Sequence, residues 1–187
     1  MKYSIFSMQV VMPLRGADDP TYRELHKLIR TAPERTNYAR MHDYYGRICN
    51  VLRREANRFE LGVWDYWDDP SRAPNDFQDW VDGLEGNEAR SQPAQDDGRP
   101  RHLVCTLAML LQNGSTSDQR MSAHCDIAEE QLWSRNTFRH LLKGPALLNY
   151  LHVKSDLVYL LPGDDAACAL TTEDLSGEDW HYLRPLT

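Results

Sequence analysis

The sequence predicts an α+β fold, in which a small sheet of three or more strands is covered by a long amphipathic helix and several shorter helices. Three observations support this prediction. Apolar runs typical of strands occur at three separate places, a helical period extends over residues 37–63, and shorter helical patterns follow in residues 118–151. The chain of 187 residues is long enough for one hydrophobic core, so we expect a single domain over residues 1–187.

The chain is expected to begin with a strand and a short helix. Residues 3–14 are rich in isoleucine, phenylalanine and valine, which predicts a first strand that Pro13 closes. Asp19 followed by Pro20 is typical of a helix N-cap and first turn, so a helix is expected from there to about Arg30.

The long helix is predicted by the spacing of apolar residues from Asn37 to about Val63. These residues recur at steps of three, four or seven, which places them on one helical face. They are Met41, Tyr45, Ile48, Leu52, Phe59 and Val63. We expect this face to cover the sheet.

The composition of residues 68–100 predicts a long acidic connection. They are crowded with Asp, Pro, Gly, Asn and Gln and show no sustained apolar period. They also hold three basic and nine acidic residues, so most of the net charge of -7 lies here. One short helix is expected inside the connection, from the spacing of Phe77, Trp80, Val81 and Leu84.

Short elements are expected in the second half of the chain. Residues 101–112 form a compact apolar run, which predicts a buried strand or, as the alternative, a buried helix. Two or three short helices are expected in residues 118–151, and a third strand at residues 156–161 ends at the turn signal PGDD. Thr171 or Thr172 is expected to cap a further short helix.

The C-terminal segment holds more apolar side chains than a free tail would. They are Leu170, Leu175, Trp180, Tyr182, Leu183 and Leu186. We therefore expect the segment to dock on the sheet as part of the core, with a mobile motif that waits for a partner as the alternative.

The segment DLVYLLPGDDAACALTTEDLSGEDWHYLRPL, at residues 156–186, resembles the end of a known family. It is similar to the terminal strand, turn, acidic helix and closing Leu-Arg-Pro-Leu of the domain-of-unknown-function family numbered 1517, of cyanobacterial and chloroplast type. The strings SIFSMQVVMPL and HLVCTLAML are similar to that family's other two strands. The family has no established activity, so the resemblance implies an order of elements and no catalytic residue.

The cysteines and the apolar pattern favour a cytoplasmic location. Cys49, Cys105, Cys125 and Cys168 lie far apart and include no C-x-x-C pair, which is typical of free thiols in a reducing environment. The N-terminal segment lacks a signal-peptide cleavage site, and no apolar run approaches the roughly 18 residues of a membrane span. We expect a cytoplasmic protein with no metal, no cofactor and no membrane contact.

No sequence motif predicts a catalytic site. The chain has no Walker loop, no G-x-G-x-x-G, no G-x-S-x-G and no H-E-x-x-H. His124, Cys125 and Asp126 are adjacent, but neighbouring residues of a helix point about 100° apart, which argues against a shared metal or nucleophile geometry. The sequence therefore leans away from an enzyme.

Four arginines on the predicted long helix form a candidate partner-binding surface, which we name the arginine stripe. They are Arg40, Arg47, Arg54 and Arg58, and they fall within about 40° of one another at 100° per residue. Guanidinium groups pair with carboxylates and with phosphates, so an acidic protein or, as the alternative, RNA fits this surface. A solvated face, or pairing with the chain's own acidic connection, is the more common use of such a stripe.

Three tryptophans are the other candidate partner-binding residues. Trp64 and Trp67 close the predicted long helix, and Trp80 lies in the acidic connection. Tryptophan is frequent at binding hot spots, and the same side chains also serve to pin a connection to a core. The sequence thus favours a non-enzymatic interaction or assembly protein, with an RNA-binding accessory protein or an enzyme without a recognisable motif as alternatives.

We predict that the fold depends on neither a metal nor a disulfide, because no cysteine or histidine spacing supports either. The melting temperature followed by circular dichroism should not change when EDTA or dithiothreitol is added. A large drop with either reagent would contradict this prediction.

Overall fold

The structure is a computed structural model that describes residues 2–90 and 98–187, and it confirms the α+β class. The described strands are β1 (Tyr3–Leu14), β2 (Leu61–Trp67), β3 (Arg101–Gln112), β4 (Val153–Leu161), β5 (Leu170–Thr171) and β6 (Arg184–Pro185). The described helices are α1 (Pro20–Ile29), α2 (Tyr38–Arg54), α3 (Ala73–Arg90), α4 (Thr116–His124), α5 (Arg135–Leu141) and α6 (Thr172–Leu175). Residues 91–97 of the predicted acidic connection and the side chain of Leu84 lie outside the described residues.

The described strands form one antiparallel sheet in the order β4-β3-β1-β2-β6, and the short β5 pairs with the beginning of β3. β1 pairs with β3 along its entire length, from Tyr3 opposite Gln112 to Leu14 opposite Arg101. The run predicted as a strand or a buried helix is therefore a strand. Nearly every residue of β1 and β3 is buried, because both faces of the sheet are covered.

One face of the sheet, which we name the inner face, holds the main hydrophobic core. Alternate side chains of β1 and β3 pack there against α1, α2, α4 and α5. The largest fully buried side chains include Phe6, Met8, Met12, Leu103, Leu107 and Met109 from the strands and Leu25, Tyr45, Ile48, Leu52 and Phe138 from the helices. The short helices predicted between residues 118 and 151 thus belong to this layer.

The opposite face of the sheet, which we name the outer face, has two separate covers. At one end, α3 packs on Ile5 and Leu110. At the other end, the C-terminal segment after β5 packs on Val11 and Val104. Its buried side chains there are Leu175, Trp180 and Leu183. The segment therefore docks on the sheet, as the sequence predicts.

The prediction of one long helix over residues 37–63 is wrong beyond Arg54. α2 ends at that residue, a 3-10 turn follows at Ala56–Arg58, and the chain then enters β2. Phe59 packs in the inner core, whereas Val63 lies on the outer face, so the two side chains do not share a helical face. The string LGVWDYW of β2 is rich in aromatic residues and alternates between the two faces, which favours a strand.

The prediction of a long acidic connection over residues 68–100 is wrong for most of the residues that the structure describes there. α3 occupies residues Ala73–Arg90, in place of one short helix within a loop. Its anchors Phe77 and Trp80 are three residues apart, so both reach the outer face. Packing on the sheet therefore stabilises a helix that the Gly, Asp and Asn content disfavours.

Two further structural facts concern the cysteines and the helices. All four cysteines are free thiols. Burial raises the pKa of Cys105 to about 12 and places that of Cys49 higher still, so both thiols are neutral. Among the described residues, no helix is long and apolar enough to span a bilayer.

A buried ion pair joins the start of α1 to the turn before β2. Arg58 donates hydrogen bonds to the carboxylate of Asp19 at 2.7 Å and to the carbonyl of Pro13 at 2.6 Å. Asp19 is wholly buried and caps α1 by accepting from the backbone N–H of Thr21 at 2.9 Å. Burial alone would raise the pKa of Asp19, but the hydrogen bond and charge of Arg58 and the backbone donors lower it overall.

Replacing Trp180 should test the docking of the C-terminal segment. Trp180→Ala leaves a cavity on the outer face, so the free energy of unfolding should fall by about 3 kcal/mol or more. Urea denaturation measures the difference. Leu151→Ala is the control, because Leu151 is 59% exposed, and it should change the free energy by less than about 0.5 kcal/mol. Similar small losses in both variants would show that the segment is not part of the core.

The ion pair of Asp19 and Arg58 should make stability fall in acid. A carboxyl group whose pKa is lowered by folding stabilises the fold above its ordinary pKa of 3.8, and this contribution is lost as the pH falls through the folded pKa. Asp19→Asn should therefore be less stable than the wild type at neutral pH, and the difference should shrink below about pH 4. Urea denaturation at both pH values measures it, and a difference that does not change with pH would contradict the prediction.

Candidate functional site

A pocket of about 690 Å³ opens on the outer face between its two covers, and we name it the outer pocket. Its floor comes from β1 and β2. One wall comes from α3 and the turn before it, and the other comes from the C-terminal segment. Because the two covers are separate pieces of the chain, they leave the middle of the sheet face open.

The register of β1 and β2 explains why the pocket lies where it does. The outward-facing pairs are Ile5 opposite Trp67, Ser7 opposite Asp65, Gln9 opposite Val63 and Val11 opposite Leu61. Ile5 and Val11 are apolar and lie under the two covers, whereas Ser7 and Gln9 between them are polar. The polar middle of β1 therefore forms a buried floor between the covers, and the exposed part of the floor comes from Asp65 and Trp67 of β2.

Gln9 fixes the wall that the C-terminal segment forms. Its side-chain amide donates to the hydroxyl of Thr106 at 2.7 Å, and its amide oxygen accepts from the hydroxyl of Tyr182 at 2.9 Å. Burial raises the pKa of Tyr182 to about 12, so its phenol stays a neutral donor at physiological pH. Gln9 is satisfied within the fold and acts on the pocket by positioning Tyr182.

Ser7 is a polar group of the floor that has no partner. The residue is 3% exposed, it lines the pocket, and its side-chain hydroxyl makes no hydrogen bond to any described residue. Its hydroxyl oxygen is not sealed from the pocket, so water or a polar group of a ligand can bond to it there. Ser7 therefore gives the floor a hydroxyl that is available to a ligand.

Aromatic rings form much of the walls. Trp80 and Tyr182 meet edge to face with ring centroids 6.2 Å apart, so the two covers touch across the pocket. Trp67 is more exposed, and the guanidinium carbon of Arg72 lies 5.1 Å from the centroid of its ring. Such rings contact the apolar part of a ligand with their surface, and their faces attract cations.

The outer pocket is strongly acidic. Of the described residues that line it, five are aspartates and a single one, Arg72, is basic. The aspartates are Asp65, Asp76, Asp79, Asp82 and Asp179. Partial burial of the carboxyl group raises the pKa of Asp65, and the negative charge of Asp76 raises it further. The rest of the Asp65 side chain is exposed toward the pocket. A cation in this pocket would relieve the repulsion between these carboxylates.

The structure brings together two of the three tryptophans that the sequence singles out. Trp67 and Trp80 both line the outer pocket. Trp64 points to the inner face instead, where its indole N–H donates to the carbonyl of Leu132 at 3.0 Å. Trp64 and Trp67 lie on a strand rather than at the end of a helix, and residues three apart on a strand face opposite sides.

The arginine stripe is divided by the structure. Arg40, Arg47 and Arg54 are exposed on α2. Arg58 lies beyond the end of α2 and is bound to Asp19. The prediction that Arg58 shares one helical face with the other three is therefore wrong. Arg54 forms an ion pair with Glu24 at 2.6 Å. α3 packs on the opposite side of the sheet from α2, so this part of the acidic connection does not pair with the stripe.

His124 and Cys125 form neither a metal centre nor a nucleophile pair with the residues that are described. The ring of His124 stacks on that of His140 with centroids 4.0 Å apart, and a nitrogen of each ring lies within hydrogen-bond distance of the other's carbonyl. Burial raises the pKa of Cys125 to about 12. The described part of the chain contains no group of three or more side chains able to hold a metal ion.

The floor of the outer pocket was not predicted from the sequence, and Tyr182 was predicted as a core residue rather than as part of a site. A signal for the floor was present, because Ser7 and Gln9 are polar residues two positions apart in a mostly apolar strand. On a strand this spacing places both polar side chains on one face. Asp65 interrupts β2 in the same way, between Val63 and Trp67.

Comparisons with known proteins assign no family to the chain. A scan against protein-family models, a search of curated proteins and a search of solved structures each found no match. The resemblance to the family numbered 1517 therefore stays a prediction, and the candidate site rests on its own geometry.

Proposed function

We propose that this protein is a non-enzymatic interaction protein, and that it recognises a positively charged segment of a protein partner at the outer pocket. The observation that supports this most is the joint lining of one pocket by aromatic rings, aspartates and the hydroxyl of Ser7, which no described residue bonds. The volume of about 690 Å³ lies within the usual range of ligand pockets and leaves room for more than one side chain.

Charge and aromatic contact would act together on such a partner. The aspartates create a negative potential, which attracts a basic segment at long range and speeds association. Exposed ion pairs alone add little affinity, because water and salt screen them. Trp67, Trp80 and Tyr182 supply the contact area that dominates most protein interfaces.

The arginine stripe supports an acidic protein or RNA as the partner less well. Arg58 is bound to Asp19 and Arg54 is paired with Glu24, so two of the four predicted arginines have partners within the fold. Affinity for RNA comes mainly from several simultaneous phosphate contacts, and the chain is acidic overall. An RNA-binding accessory role on Arg40 and Arg47 therefore stays the second proposal.

An enzyme is the alternative that Asp65 favours, because a carboxyl group with a raised pKa in a pocket is suited to proton transfer. The described lining of the pocket, however, contains no histidine or cysteine. The carboxylate of Asp65 is opposite Ser7 on the neighbouring strand, but the described lining lacks the imidazole that activates a serine nucleophile, and we favour binding over catalysis.

The proposal is tested by titrating the protein with a basic peptide, in which glycine separates equal numbers of arginine and lysine residues. Isothermal titration calorimetry should show binding that weakens as salt is added. The double variant Asp76→Lys with Asp79→Lys reverses two charges of the wall and should weaken binding by about tenfold or more.

Asp43→Lys is the matched control, since Asp43 is an exposed aspartate of α2 on the opposite side of the sheet. It should leave the affinity for the peptide unchanged within about twofold, apart from the small effect of net charge. Equal weakening by the control and the double variant, or no binding of the basic peptide at all, would contradict the proposed function.

A further inference from the structure

The chain's own Arg72 shows which cation the outer pocket accepts. Its guanidinium lies over the ring of Trp67, inside the acidic rim. No carboxylate of the described residues lies within ion-pair distance of it, although its charge, together with the hydrogen bonds of Ser71, lowers the pKa of Asp69. We infer that the guest of the pocket is an arginine side chain of the partner, which displaces Arg72 from Trp67. This inference rests on the proposed function.

Arg72 is placed so that its side chain leaves Trp67 without disturbing the fold. The side chain is exposed, and its contact with Trp67 is a single cation–π contact, which is weak at exposed sites. The backbone is held independently, since the N–H of Ala73 donates to the carbonyl of Asp69 at 3.0 Å and the N–H of Asn75 donates to that of Arg72 at 2.9 Å. The contact is therefore an internal stand-in that a partner replaces.

The lining favours a guanidinium over an ammonium group. A guanidinium is planar, stacks on an indole and carries five donors in a fixed fork, whereas an ammonium is compact and strongly hydrated. Ser7 and Asp65 lie opposite each other on neighbouring strands of the floor, so a hydroxyl and a carboxylate accept donors from the same direction. A guanidinium that stacks on Trp67 at the mouth of the pocket would direct its fork of N–H donors toward the floor. These donors match the two acceptors, Ser7 and Asp65.

Three flexible peptides test the inference, in which glycine alternates with arginine, with lysine or with glutamate. The arginine peptide should bind more tightly than the lysine peptide, and the glutamate peptide should not bind. Arg72→Lys keeps the charge but stacks less well, so it should tighten binding of the arginine peptide by about two- to fivefold, the range expected for loss of one exposed cation–π competitor. Trp67→Ala should weaken the binding of the same peptide.

Arg23→Lys is the matched control, because Arg23 is exposed on α1, on the other side of the sheet, and it should leave the affinity unchanged. Trp67 and Arg72 are both exposed, and circular dichroism should show that their variants keep the fold. Equal affinity for the arginine and lysine peptides, or unchanged affinity in Arg72→Lys, would overturn the inference and leave the proposed function standing. If neither basic peptide binds, the proposed function fails with it.

Discussion

The pairing of β1 with β3 is the constraint on which the rest of the structure depends. Both strands are buried almost throughout, so side chains on either face of the sheet need a cover. The inner face is covered continuously by helices, whereas the outer face is covered by two distant pieces of chain. Between these covers lie Ser7 and Gln9 of β1, which are buried, and Asp65 and Trp67 of β2, which are exposed. The pocket therefore opens over β2, and both strands supply its polar floor.

Elements fixed by neighbouring residues were predictable from the sequence. Asp19 caps α1 beside Pro20, and Thr171 and Asp174 form a capping box, because each cap involves residues only a few positions apart. The apolar runs of the strands are equally local. The extension of the long helix failed because apolar spacing takes no account of the break at Glu55, after which Phe59 and Val63 face different sides of the sheet.

The candidate site was only partly predictable, because its parts meet through tertiary structure. Trp67 and Trp80 stand out by residue type, but their meeting with Tyr182 depends on where α3 packs. Arg58 is held within the fold by its ion pair with Asp19, which is 39 positions away in the sequence. A helix period describes one element, whereas an ion pair or a pocket wall joins elements whose relative positions the pattern does not contain.

The hydrogen bond between Gln9 and Tyr182 joins residues 173 positions apart. Because Tyr182 belongs to the C-terminal segment, the outer pocket has both of its walls only when that segment is docked on the sheet. A partner that fills the pocket would therefore also hold the segment in place, since ligands stabilise the state that they bind. Recognition at this pocket would distinguish the docked molecule from one whose C-terminal segment has come away from the sheet.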